Sequence, residues 1–461
     1  MKAFLISAMQ SGAGKTVMSC ALMAALKRRG LRVEAFKSGP DYIDPMFHSG
    51  VLGVPSRNLD LFLQGEKGVR RSFAEGNADI AVLEGAMGYY DGLGGTEQCS
   101  AWDLANRLEL PAFLVLRPKG AGLSLAAQVQ GFLHFRESCR ISGLLLTDCS
   151  QHLAEMLCPL LEQECGIPVL GFLPPMEEAR IGSRHLGLLT AGEIEDLTGR
   201  FSRIAEEAEA HIDLDLLQKL AAEKAVSGRR TAAAESRCRI AVARDEAFCF
   251  CYEDSLEALR TAGAELCFFS PLRDSRLPEG SRGLYLCGGY PELYAKALSE
   301  NTAMRSAVRA AVNAGMPTLA ECGGFLYLQD ELEDINGETH PMCGALPGHG
   351  FRTERLVRFG YLTLQAEKDS LLFRAGEEIP AHEFHYWDST AGGTALWAEK
   401  ADGRSWRCAY AGENLYAGFP HLHFGGELPL AERFVEAAQS FACRQKTRTA
   451  RAIRSCTESE S

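Results

Sequence analysis

The stretch Ala8-Met9-Gln10-Ser11-Gly12-Ala13-Gly14-Lys15-Thr16 follows the short apolar run Ala3-Phe4-Leu5-Ile6 and opens a segment with helical spacing to about Arg29. Strand, glycine loop and helix, in that order, are the context a phosphate-binding loop requires. Gly12 and Gly14 let backbone N–H groups face phosphate oxygens, and the helix N-terminus favours their negative charge. In this reading the Lys15 ammonium reaches the terminal phosphates of ATP and the Thr16 hydroxyl is a ligand of Mg²⁺. Met9 stands where the full pattern has glycine, so Gly-x-Gly-Lys-Thr carries the match.

Outward from this loop, apolar runs near 32–36, 80–83, 112–116, 143–147 and 169–173 alternate with helical segments such as 123–132 and 154–164. That alternation predicts an α/β fold, a doubly wound parallel sheet covered by helices. Ligands of such sheets gather beyond the C-terminal strand ends. Two acidic loops fall there. In Lys37-Ser38-Gly39-Pro40-Asp41-Tyr42-Ile43-Asp44-Pro45, two aspartates three apart are boxed by prolines and a glycine. An ordinary solvated turn uses the same residue types. As a functional loop it offers Asp41 to metal or substrate, Tyr42 and Ile43 to substrate, and Asp44 to the reacting carboxylate. The run Ile80-Ala81-Val82-Leu83-Glu84-Gly85 ends in an acid placed to hold Mg²⁺, and Asp91 follows as a metal or substrate contact. Residues 201–224 read as one closing helix.

A second α/β domain begins near Arg239. Its centre is Thr318-Leu319-Ala320-Glu321-Cys322-Gly323-Gly324, an apolar run that stops at an acid and a cysteine before two glycines. The pattern predicts a strand, a sharp turn presenting Cys322, and a helix whose positive end favours thiolate, the nucleophilic form. A buried structural cysteine is the plain alternative. Gly323 and the glycine turn Gly288-Gly289-Tyr290-Pro291-Glu292 offer N–H groups to an oxyanion, from Gly289 in the second case. About a hundred residues later, Gly418-Phe419-Pro420-His421-Leu422-His423-Phe424 supplies a candidate base. His382 and His385 are its rivals.

The 461 residues exceed one ordinary core. The reading places an ATP-binding domain at 1–226, a linker at 227–237, a second domain at 238–442 and a polar tail at 443–461. A net charge of −12 argues against nucleic acid as the main partner. The 16 cysteines include no Cys-x-x-Cys pair and sit in apolar segments, as reduced residues of a cytoplasmic protein do. No apolar run reaches membrane-spanning length, so no membrane partner is expected.

The quoted stretches of the second half resemble a class I glutamine amidotransferase domain of the cobyric-acid-synthase type, and the first half resembles the dethiobiotin-synthetase-like P-loop fold. Together with Gly39 to Pro45 and Glu84-Gly85-Ala86-Met87-Gly88-Tyr89-Tyr90-Asp91-Gly92, the chain to about residue 440 is similar to the cobyrinate a,c-diamide synthase family. The resemblance implies that glutamine is hydrolysed at Cys322 with His421 as base. ATP with Mg²⁺ then phosphorylates carboxylates of a corrinoid tetrapyrrole acid, and ammonia displaces phosphate at positions c and a. Many relatives of that class carry His-x-Glu; here His423 takes the orienting slot. A homodimer is carried as the assembly, which the residues do not fix. Diamidation of hydrogenobyrinate or nickel-sirohydrochlorin is the neighbouring alternative. A ParA/MinD-like ATPase switch is disfavoured, because the loop has no second lysine before Gly12. A binding module with an inert Cys322 domain is the third alternative.

Overall fold

In the computed structural model the chain divides into two compact units, residues 1–230 and 231–461. The structure describes residues 1–178, 183–184, 187–188, 196–227 and 236–441. Most of the linker expected at 227–237, and all of the tail expected at 443–461, lie outside the described residues.

Unit 1 runs β1 (Lys2–Ala8), α1 (Lys15–Arg28), β2 (Val33–Ser38), α2 (Ile43–Leu52), β3 (Arg57–Leu59), α3 (Gly65–Ala74), β4 (Ile80–Glu84), α4 (Ala101–Leu108), β5 (Ala112–Leu116), α5 (Leu123–His134), β6 (Ile141–Leu146), α6 (Gln151–Cys165) and β7 (Val169–Phe172). A two-residue ladder, β8 (Ser183–Arg184) with β9 (Gly187–Leu188), precedes α7 (Leu197–His211), α8 (Leu214–Leu220) and β10 (Ala222–Glu223). The sheet order is β3-β2-β4-β1-β5-β6-β7, all parallel, with β10 antiparallel on the start of β1. Alternation along β1 sorts its side chains: Phe4, Ile6 and Ala8 enter one core with α1 and α7, while Ala3 and Leu5 enter the other with α4 and α6. The adjacent strands β1, β4 and β2 therefore present their C-terminal ends together, carrying the glycine loop, Glu84 and the Lys37–Asp44 stretch.

The expected single helix at 201–224 is broken. Ile212 is extended and bridges to Gly171, and the Asp213 carboxylate caps a new helix by accepting from the N–H groups of Asp215 and Leu216. An aspartate that competes for backbone donors ends one helix and starts the next.

Unit 2 contains β11 (Cys238–Ala243), α9 (Glu253–Thr261), β12 (Ala264–Phe269), β13 (Ser281–Leu286), α10 (Ala295–Glu300), α11 (Thr302–Asn313), β14 (Thr318–Glu321) and α12 (Gly323–Leu328). A β-rich excursion follows: β15 (Glu331–Glu333), β16 (Thr339–Pro341), β17 (His349–Arg352), β18 (Arg358–Ala366), β19 (Glu378–His385), β20 (Trp387–Ser389), β21 (Leu396–Glu399), β22 (Ser405–Cys408) and β23 (Tyr410–Ala411). The chain then returns through β24 (Leu415–Gly418) and β25 (His421–Leu422) to a helix at 430–441. The main sheet has the order β12-β11-β13-β14-β24-β23, parallel except at β23. β14 and β24 are neighbours, with Glu321 opposite Gly418. β25 belongs to a second sheet, antiparallel to β19, with His421 opposite His382.

Candidate active sites

In unit 1 the loop after β1 turns at Gly14, whose φ of 87° lies in the left-handed region that favours glycine. A Cβ there would also stand 3.0 Å from the Thr147 methyl. Lys15 Nζ donates to the carbonyl of Gln10 at 3.3 Å and to that of Met87, tying the loop after β4 to the glycine loop. Burial, and next the repulsion of Lys37, lower the Lys15 ammonium to about 8.

Thr16 Oγ1 lies 2.9 Å from Glu84 Oε1 and 3.2 Å from Asp44 Oδ1. A hydroxyl and two carboxylates converging at the end of a phosphate loop form an all-oxygen set that fits a hard divalent cation. Lys37, which the sequence reading passed over, is buried against both acids: Nζ bonds Asp44 Oδ2, and Glu84 Oε1 at 3.0 Å. On the far side of Glu84, His48 Nε2 meets Oε2 at 2.8 Å and its Nδ1 meets Ser56 Oγ at 3.1 Å. Burial alone would raise Glu84, but Lys37 and His48 outweigh it and hold the carboxyl far below its usual range. Asp44 contacts the same ammonium, yet burial and the nearby Asp41 push it up. Two buried carboxylates share one ammonium, and the better-paired Glu84 keeps the charge.

Asp41 lies close to Asp44 and Lys37, with one carboxylate oxygen engaged by the backbone. Its Oδ1 accepts from the N–H groups of Ile43 at 2.8 Å and Asp44 at 3.3 Å, capping α2. The helix start turns Asp44, not Asp41, toward Thr16 and Glu84. Tyr42 and Ile43 are the N-cap and first residue of that helix. Asn58 clamps the loop by donating to the carbonyls of Gly39 at 2.8 Å and Asp41 at 2.7 Å. Asp91 Oδ2 accepts from Gly88 N–H at 2.9 Å, shaping the loop whose Met87 carbonyl holds Lys15. Two signals were available for the missed residues. Lys37 is a lone cation ending an apolar strand, and His48 lies four residues after Asp44 on one helix face.

In unit 2, Cys322 stands between β14 and α12 with φ 47° and ψ −103°, strained for a residue with a side chain. Its N–H donates to the Gly418 carbonyl at 2.7 Å. A Cβ on Gly323 would meet Pro291 Cδ at 2.8 Å and the Gly289 nitrogen at 3.1 Å, so the two glycines named from sequence converge beside the sulfur. Burial works against the thiolate that the helix end favours. Burial, and then Glu292, push the Cys322 thiol up, against the N–H of Gly323.

His421 packs on the glycine turn: a Cβ on Gly288 would fall 2.4 Å from its Cε1. Burial, then His382 and His385, lower the ring to about 3, so it rests neutral and a proton on it is disfavoured until charge develops beside it. The rivals belong to the same cluster. His385 stacks on Phe419 at 3.9 Å and its Nδ1 contacts the Trp387 carbonyl at 2.6 Å. The His423 ring lies 4.7 Å from that of Tyr252, and its Nδ1 accepts from Gly425 N–H at 3.0 Å. Two buried acids complete the surroundings. The Glu383 carboxyl oxygens make no hydrogen bond among the described residues, His385 Nε2 stands 4.0 Å from Oε2, and burial raises the group to about 7. Glu321 is raised to about 7 by burial, moderated by bonds from Leu422 N–H and the Tyr285 hydroxyl.

The described cysteines are all outside disulfides, and no described helix is long and apolar enough to cross a membrane. Residues 4–188 match the CobQ/CobB/MinD/ParA nucleotide binding domain, and residues 239–428 match the CobB/CobQ-like glutamine amidotransferase domain. The cobyrinate a,c-diamide synthase of Clostridium acetobutylicum is 38% identical over 442 residues, which cover 94% of this chain and 100% of that protein. That of Salmonella typhimurium is 38% identical over 451 residues, covering 95% and 98%. That of Priestia megaterium is 35% identical over 447 residues, covering 95% and 97%. A nucleotide-binding unit and an amidotransferase unit in one chain, matched along nearly their whole length, place this chain in the cobyrinate a,c-diamide synthase family.

Proposed function

We propose that this chain amidates the a and c side-chain carboxylates of cobyrinate, with glutamine as nitrogen donor and ATP as the activating co-substrate. The observation that carries the reading is one chain with two sites: an oxygen-lined phosphate loop in unit 1, and in unit 2 a buried cysteine at a strand-to-helix turn, with Gly323 beside Gly289 and the buried His421 beside Gly288.

In unit 2, His421 takes the Sγ proton of Cys322 as sulfur attacks the glutamine amide carbon. The N–H groups of Gly289 and Gly323 face the developing oxyanion. The imidazolium returns the proton to the departing nitrogen, ammonia leaves, and water cleaves the thioester to glutamate. In unit 1, a substrate carboxylate attacks the terminal phosphorus of ATP and ADP leaves. Ammonia then attacks the acyl carbon, and phosphate leaves. A free carboxylate would have to expel hydroxide or oxide, which are far poorer leaving groups. Thr16, Asp44 and Glu84 would hold Mg²⁺, which supplies charge neutralisation on the phosphates. Lys15 and Lys37 add positive charge, and Asp91, Tyr42 and Ile43 are the proposed substrate contacts.

Reduced cysteines support a cytoplasmic setting. For a homodimeric assembly, exposed Leu123 and Met156 on the packed helices α5 and α6 are the candidate contact, which sedimentation of an L123E variant checks. The function is tested with purified protein, ATP, glutamine and a panel of tetrapyrrole acids, read by mass. Two amide increments on cobyrinate are expected. Exclusive turnover of hydrogenobyrinate or nickel-sirohydrochlorin would replace the substrate named here.

A further inference from the structure

The residues before the nucleophile and after the base are joined by one side chain. Glu321 Oε1 accepts from the N–H of Leu422 at 2.8 Å, and Oε2 accepts from the Tyr285 hydroxyl at 2.9 Å. Glu321 ends β14 and immediately precedes Cys322; Leu422 is the partner of His421 in the two-residue strand β25. The side chain is 1% exposed, and both its oxygens are occupied by donors from two different segments. A carboxyl is costly to bury, and its bonds here serve no helix cap or solvent-facing ion pair. A leucine or methionine would fill the volume without that cost. The contact also spans two sheets: β14 lies in the parallel main sheet, and β25 in the antiparallel sheet with β19.

Cys322 is tied to the main sheet by its own N–H on Gly418. His421 is anchored through β25 opposite His382. Between Gly418 and His421 only Phe419 and Pro420 intervene, so a small rotation of the chain after Pro420 would swing the ring away from the sulfur. The Leu422 N–H is the donor that fixes that rotation, and Glu321 is its acceptor.

We infer that Glu321 is a positioning residue of the glutaminase reaction, holding the peptide after His421 so that the ring faces Cys322, in place of an acid two residues after the base. The inference rests on the reading of Cys322 and His421 as nucleophile and base. It assigns Glu321 the task of accepting a hydrogen bond, which a neutral amide oxygen can do equally well. Its effect is on geometry within the bound complex, hence on kcat and not on glutamine binding. A misplacement of this kind costs on the order of 100-fold in rate.

The test measures glutamate release and ammonium-dependent amidation for the parent, Cys322→Ala, Glu321→Gln, Glu321→Leu and Tyr285→Phe. Glu321→Leu should lose about 100-fold in glutaminase kcat with KM for glutamine within about threefold, and should keep ammonium-dependent amidation. Glu321→Gln should stay within about threefold of the parent, and Tyr285→Phe should do the same because Leu422 N–H keeps its acceptor. A Glu321→Leu enzyme with parental kcat, or a Glu321→Gln enzyme as impaired as Glu321→Leu, overturns the assignment. If Glu321→Leu does not fold, Glu321→Gln decides alone by the same threshold. An active Cys322→Ala enzyme with glutamine would instead overturn the underlying reading of the nucleophile, whatever the Glu321 variants do.

Discussion

Lys37 Nζ stands 3.0 Å from Glu84 Oε1 with neither side chain reaching solvent, and the same oxygen receives the Thr16 hydroxyl. Replacing Lys37 by alanine leaves two buried carboxylates facing each other. The variant should lose about 3–5 kcal/mol of unfolding free energy, read by urea denaturation. It should lose at least about 1,000-fold in amidation with glutamine or ammonium, while glutamate release persists. Amidation within tenfold of the parent would remove Lys37 from the phosphoryl-transfer site.

The two chemistries should separate. Cys322→Ala is expected to lose glutamine-dependent amidation and keep the ammonium-dependent reaction, at a rate that rises with pH as the ammonia fraction grows. Lys15→Ala should still release glutamate and make no amide from either donor. Measuring both products for both variants checks the pair. A folded Cys322→Ala protein inert to ammonium at every concentration contradicts it.

Gly288 and His421 provide a steric test. A methyl at 288 would fall 2.4 Å from the ring, so Gly288→Ala must displace the base. Glutaminase kcat should drop about 100-fold, with amidation from ammonium unchanged. A structure of the variant with His421 unmoved would leave the drop without this cause.

His421 and His423 should differ in kind. His421→Ala is expected to abolish glutamate release. His423→Ala removes a ring packed on Tyr252 and the acceptor for Gly425 N–H, so it should mainly lower stability, by about 1–3 kcal/mol. Equal kinetic losses would show that the second histidine takes part in the proton relay.

Glu383 carries a pH signature. Its folded value of about 7 exceeds the ordinary 4.5, so its favourable contribution is complete below about pH 4.5 and lost as pH rises through 7. Glu383→Gln should therefore be more stable than the parent above pH 8, by up to about 3 kcal/mol, and indistinguishable near pH 4. Urea unfolding at both values decides it; a constant difference would mean that burial does not hold the proton on.

Part of this was open to inspection in the sequence. Lys15, Thr16 and Glu84 follow from a strand–loop–helix motif and an apolar run ending in an acid, both local patterns. Cys322 and Gly323 follow from the strand-to-helix turn. What escaped depends on partners far along the chain. Lys37 gains its role only when Asp44 and Glu84 fold around it, 7 and 47 residues away. The helix beginning at Ile43 decides whether Asp41 or Asp44 faces Thr16, and spacing alone treats them alike. The same holds at Cys322: a helix terminus is visible in sequence, whereas burial beside Glu292, which opposes the thiolate, is not.

The nucleophile and base strands, β14 and β24–β25, flank nine short strands that begin at Glu331 and end at Ala411. Pairing β14 with β24 therefore closes a long loop, whose entropic cost grows only as the logarithm of its length. Non-local pairings of this kind form late and slowly. During synthesis, Cys322 emerges about a hundred residues before His421. The cysteine and histidine proposed as nucleophile and base are assembled only when β24 and β25 join their sheets, so a chain cut before Leu415 should release no glutamate from glutamine.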